Sequence, residues 1–267
     1  MRNVIILAVV LVNLLFSQNG LLNLKLQLHD YEVTPNKFCV NNAGIYFLDT
    51  YNRQISLLGN DNSIKYSGGY GITDDAFIDP IDILSSKLNV WIVDGTENKL
   101  IVFDHKLNYL ETVEFKDIYP IASAIDDWGN ILLYSELEDK IYKIENTTFE
   151  LNQFIDLNIY NFSGLSPKYL HCAKDGSIGV LYEQSLVIFN RLGQLKKSFP
   201  ANNDYHFIFK KGFGWFAIDQ SNFIINLISS KKDKIAVEKT IMDIHQDDDR
   251  LYFLVEDQIY MINVDPE

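Results

Sequence analysis

Ile45-Tyr46-Phe47-Leu48-Asp49 and Val90-Trp91-Ile92-Val93-Asp94 are two copies of one short apolar run that closes on aspartate. Four more runs share its form: Ile131-Leu132-Leu133-Tyr134-Ser135, Ile178-Gly179-Val180-Leu181-Tyr182, Trp215-Phe216-Ala217-Ile218-Asp219 and Leu251-Tyr252-Phe253-Leu254-Val255. The closing positions 49, 94, 135, 182, 219 and 255 are separated by 45, 41, 47, 37 and 36 residues. A short run that is apolar at every position reads as a strand buried on both faces, because a strand with one wet face alternates. A period of about 40 residues with several strands per unit predicts the blades of a β-propeller, where each blade is covered by a neighbour on either side.

The remainder of each unit fits that reading. Asn42-Ala43-Gly44, Asp127-Trp128-Gly129-Asn130 and Lys174-Asp175-Gly176-Ser177 precede second strands. Gly, Asn and Asp tolerate the positive φ of tight hairpins. Third strands follow at Lys99 to Phe103, Lys140 to Ile144 and Leu186 to Phe189, and a more polar fourth strand such as Tyr109 to Phe115 suits the wet outer edge. The expectation is an all-β, six-bladed propeller with four-stranded blades. The sixth unit shows three strands, ending near Val264, whereas Leu22, Leu24, Leu26 and Leu28 alternate with Asn23, Lys25 and Gln27. That one-sided strand is expected to complete the last blade from outside and remove an exposed sheet edge. No Pro/Ser/Gly-rich linker divides the chain, so residues 21–267 are expected to form a single domain.

Composition narrows the function classes. The 267 residues carry a formal net charge of −13, which repels phosphate backbones and anionic lipid and argues against a nucleic-acid role. Arg2, the apolar Val4 to Phe16 and the polar Ser17-Gln18-Asn19-Gly20 read as a secretory signal peptide over residues 1–17. The apolar run is short of the roughly 20 residues of a membrane span, so no span is expected in the mature chain. The destination is then periplasmic or extracellular.

Gly68-Gly69-Tyr70-Gly71, followed by Ala76-Phe77-Ile78-Asp79-Pro80-Ile81-Asp82-Ile83, resembles the junction between NHL repeats. The second unit continues the resemblance from Val90-Trp91-Ile92-Val93-Asp94 through Asn98-Lys99-Leu100-Ile101-Val102-Phe103-Asp104. The likeness covers nearly the whole mature chain as architecture but only one or two blades as sequence. It implies a fold used mostly as a binding scaffold, with a minority of metal-dependent lyases and lactonase relatives, and so does not decide activity.

Side chains that carry chemistry are scattered. His171, His206 and His245 fall on inner strands, at four, one and five residues from the starts of their units. Those offsets predict different heights along the channel, too far apart for one metal. Cys39 and Cys172 fall in the first and fourth blades, opposite each other in a ring of six, and are expected as buried free thiols. Asp49, Asp94 and Asp219 close second strands and are expected to cap their own turns. Asp247-Asp248-Asp249 lacks the spacing and Gly of a calcium loop and reads as a solvated turn. Walker, nucleophile-elbow, His-Glu-x-x-His and Cys-x-x-Cys motifs are absent from the sequence.

Crossovers between units and the Asp-closed turns should share one face of the ring. That face carries aromatics beside acids, with Phe77 expected to plug a gap between blades. Tyr70, Asp82, Asp94, Tyr119, Tyr160, Phe162 and Tyr205 are the candidate ligand-binding residues. The function expected is an exported, non-catalytic propeller that binds a protein partner or small ligand, with no cofactor. The alternative is a metal-dependent hydrolase or lyase with a divalent ion such as calcium, requiring Asp49, Asp82, Asp94 and Asp219 to converge.

Overall fold

The computed structural model describes residues 24–71, 73–160, 166–201, 204–247 and 250–263. The leader expected over residues 1–17 lies outside them. Six separate sheets, each of four antiparallel strands, make up the fold. Five blades run in chain order from first strand to fourth. Their first strands are Lys37–Asn41, Pro80–Ser85, Pro120–Ile125, Tyr169–Cys172 and Tyr205–Lys211. The sixth blade has Asp243–Asp247, Arg250–Val255 and Gln258–Asn263 in order, and Leu24–Gln27 pairs outside them. In that pair Leu24 lies opposite Met261 and Gln27 opposite Gln258. First strands touch the first strands of both neighbouring blades, so they form the inner ring around the axis.

The second strands explain why this ring closes. Val90 and Ile92 pack in the seam with the first blade, against Tyr46 and Leu48. Trp91 and Val93 point the other way, into the third blade's Ile131 and Leu133. Both sets are fully buried, which is why the run shows no alternation. One apolar cluster fills each of the six seams, and the last joins Tyr252, Leu254 and Ile259 to Phe38, Phe47 and Leu58. Burying one such side chain contributes about 1.5–3 kcal/mol, so each blade is stable only between neighbours.

Local features follow the same logic. The fourth strand Tyr109–Glu114 is exposed or half-buried throughout. Gly129 and Gly176 take φ values of 81° and 76° in first hairpins, the left-handed geometry that their turns require. Phe77 is fully buried in the seam between blades one and two and packs edge-on to Phe103 at 6.4 Å. Leu28–Tyr31 and Leu157–Tyr160 form single 3-10 turns. Among the described residues no helix is long and apolar enough to cross a membrane.

Candidate functional site

Antiparallel blades put second-to-third turns and blade-to-blade crossovers on one face, and the remaining hairpins on the other. Among the described residues, the segments of the first face carry fifteen Asp or Glu against four Lys or Arg; those of the opposite face carry six against five. The net charge of −13 is therefore concentrated on the crossover face.

Several side chains are committed to building that face. Asp49 accepts from the backbone and side-chain amides of Asn52 at 2.8 and 2.7 Å and from Thr34 Oγ1 at 2.6 Å. Asp94 is completely buried and accepts backbone N–H groups of Ile78, Asp79 and Glu97 at 2.7, 3.2 and 3.0 Å. Asp219 accepts from Ser221 and Phe223, both at 2.9 Å. Each therefore closes its own turn, and Asp94 also anchors the preceding crossover. Asn98 and Asn222 sit at positive φ and hold the following crossovers: Asn98 Oδ1 accepts from Tyr119 N–H, and Asn222 Nδ2 donates to Lys239 O at 2.8 Å.

The aromatic candidates divide by exposure. Tyr70 is 75% exposed, with the Arg53 guanidinium 5.1 Å from its ring centroid, and Tyr119 is 47% exposed. Tyr160 is half-buried, edge-on to Phe189 at 5.5 Å. Tyr205 is buried at the start of an inner strand, opposite Asp219, and burial pushes its phenol up. Phe162 lies outside the described residues. Tyr51, two residues after Asp49 in the turn that this aspartate closes, is 87% exposed and is not among the residues the sequence singles out. The opposite face carries exposed Trp128 and Phe213 at hairpin tips, which the turn-residue reading also passed over.

Asp82 belongs to the inner ring rather than to the loops. Lys37, Asp82, Tyr169 and Asp243 lie opposite Leu48, Val93, Leu181 and Leu254, one rung inside the closing residue of each second strand. Lys37 Nζ lies 3.5 Å from Asp243 Oδ1 and 3.9 Å from Asp82 Oδ1. Asp82 Oδ2 accepts from Ser123 Oγ at 2.6 Å, and Asp243 Oδ2 from Phe38 N–H at 3.0 Å. Polar contacts thus run across blades six, one, two and three. Burial opposes the charge of Lys37, yet the two carboxylates hold its ammonium above the usual range. Burial, aided by Asp82, pushes Asp243 up to about 6, and burial with both carboxylates raises the Tyr169 phenol.

His171 and His245 do not lie at different heights: they pair with Gly179 and Tyr252, equivalent rungs of blades four and six. Burial pushes both imidazoles down to about 4, and His245 adds to the effect on His171. Cys39 and Cys172 are free thiols, the first buried and the second half-buried, both pushed up by burial. Among the described residues no group of three or more His, Cys, Asp or Glu side chains is arranged to hold a metal ion. Asp247 pairs with Arg250 at 2.8 Å, and Asp248 and Asp249 lie outside the described residues.

No protein-family model matches the chain. No curated protein sequence matches it significantly. Solved structures do match. A streptogramin B lyase is similar at 15% identity over 93% of this chain and 90% of that one, with a TM-score of 0.65. A virginiamycin B lyase from Staphylococcus aureus is similar at 15% identity over 90% of this chain and 98% of that one, TM-score 0.63. The extracellular domain of a hybrid two-component system from B. thetaiotaomicron is similar at 13% identity over 93% of this chain and 43% of that one, TM-score 0.59. At such identities the likeness is one of architecture, and it places the chain among the six-bladed β-propellers.

Proposed function

We propose that the protein is an exported, non-catalytic β-propeller that binds a protein partner or small ligand through its crossover face. The observation that carries this reading is the exposure of Tyr51, Tyr70 and Tyr119 on the face that holds most of the negative charge. Exposed aromatics amid charged groups supply both contact area and orientation for a ligand. Export rests on the charged and apolar pattern of Arg2 to Phe16. The metal-dependent lyase alternative draws on fold alone, since Asp49, Asp94 and Asp219 are each occupied by their own turns and Asp82 by Lys37 and Ser123. No cofactor is assigned.

The test is mild cross-linking in the native host, followed by mass spectrometry of everything retained. The reading expects a stoichiometric partner or small molecule whose retention falls about tenfold or more with Tyr70→Ala and Tyr119→Ala. Retention that instead depends on Trp128→Ala and Phe213→Ala would place binding on the opposite face and defeat the reading.

A further inference from the structure

The segment entering blade one crosses the seam with blade six and leaves a cleft of about 360 Å³ on the crossover face. Val33, Pro35, Met242 and the exposed ring of Tyr51 supply its apolar lining, and Glu256 and Asp257 stand at its edge. Its remaining polar walls are occupied internally. Thr34 donates to Asp49 at 2.6 Å, and Asn36 exchanges hydrogen bonds with Thr50 at 2.5 and 3.1 Å. Those bonds fix the walls, so the cleft does not need to be assembled on binding. Glu256 pairs with Lys239, both exposed, whereas the exposed Asp257 has no ion-pair partner among the described residues.

We infer that this cleft takes an extended, basic segment of a protein partner, in which an Arg or Lys sits beside an apolar residue. The inference rests on the proposed role of the crossover face and names its occupant. An apolar side chain fits the Val33–Pro35–Met242 lining, where the flexible thioether adapts to shape. The aliphatic stem of a neighbouring Arg or Lys covers apolar surface while its charge reaches the acidic edge. Tyr51 offers that cation an aromatic face. The acidic excess of the whole face attracts a basic segment and repels an acidic one.

The experiment titrates the full chain with fluorescein-labelled acetyl-Ile-Arg-Leu-Lys-amide, read by anisotropy, beside acetyl-Ile-Glu-Leu-Glu-amide. The basic peptide should bind, the acidic one should not, and added salt should weaken the complex. Tyr51→Ala and the pair Glu256→Gln, Asp257→Asn should each weaken it by about tenfold. These side chains are exposed, and an unchanged circular-dichroism spectrum checks that the variants fold. Binding lost with Tyr70→Ala or Tyr119→Ala but kept in the cleft variants would overturn the inference and leave the crossover-face reading standing. Binding that tracks Trp128→Ala and Phe213→Ala would overturn both. Absence of binding by the basic peptide would overturn the cleft inference alone.

Discussion

His171 and His245 occupy equivalent rungs of the inner ring, in blades four and six, and His245 adds to the burial that disfavours charge on His171. His171 Nε2 is also buried without a hydrogen-bond partner. Folded-state values near 4 lie below the ordinary 6.5, so the neutral form is the folded form. Stability from these groups is present above about pH 6.5 and is lost as pH falls toward 4. At about pH 5 the loss is about 2 kcal/mol per histidine. Asp243 acts in the opposite sense: its folded value of about 6 favours protonation and returns about 1 kcal/mol over the same interval. Stability from urea unfolding should therefore fall by a net of about 3 kcal/mol between pH 7 and 5, and His171→Gln should flatten the dependence. Equal slopes for wild type and variant would show that His171 is not an acid-sensitive group.

Lys37 neutralises two aspartates from the blades on either side of its own. Asp243 is nearly inaccessible and Lys37 largely so, hence removing the ammonium leaves charge with little access to water. Lys37→Met is expected to cost about 3 kcal/mol or more in chemical denaturation at pH 7. Adding Asp243→Asn to that variant should recover a large part of the loss, because the second change removes the orphaned charge. Strictly additive effects in this double-mutant cycle would mean that the two groups do not interact.

The blades were legible in the sequence because burial on two faces leaves an unmistakable trace. Val90 to Asp94 reads as a strand without reference to anything distant, and it is buried throughout. Height along the axis was not legible. Counting from the entry of each unit assumes that all first strands start alike, yet pairing begins at Tyr169, two residues past the counted start Pro167, in blade four and at Asp243, three residues past Thr240, in blade six. Only the pairing partner of each residue aligns His171 with His245. The same limit hid Lys37 and Asp243, whose neighbours in sequence carry no mark of their meeting. Tyr205 shows a related effect: its crossover position suggested exposure, but opening the inner strand opposite Asp219 buries it.

Gly179 breaks the second-strand pattern of blade four for a packing reason. A Cβ at this position would lie 2.5 Å from Trp215 Cζ3 and 2.7 Å from Ile208 Cδ1, so the indole of blade five occupies the missing side chain's place. Gly179→Val should improve local strand propensity and still destabilise the protein by about 2 kcal/mol through overpacking. Trp215→Leu in the same chain should restore some of that loss. Thermal unfolding of the wild type and the two variants checks the order, and a stabilised Gly179→Val would remove the seam contact as the reason for the glycine.

Asp94 tests whether the Asp-closed turn is structural. Its carboxylate is inaccessible and takes three backbone N–H donors, two of them in the crossover that enters its own blade. Asp94→Ala strands all three donors in a buried site, and bonds to a charged acceptor contribute about 1.5–3 kcal/mol each before relaxation. The expected loss is about 3–5 kcal/mol, with Asp94→Asn intermediate because one amide oxygen still accepts. Asp219→Ala should cost less, since its carboxylate is half-buried and water can reach the freed groups. If Asp94→Ala instead left stability unchanged while weakening partner retention, the carboxylate would act on a ligand and its turn-closing bonds would be incidental.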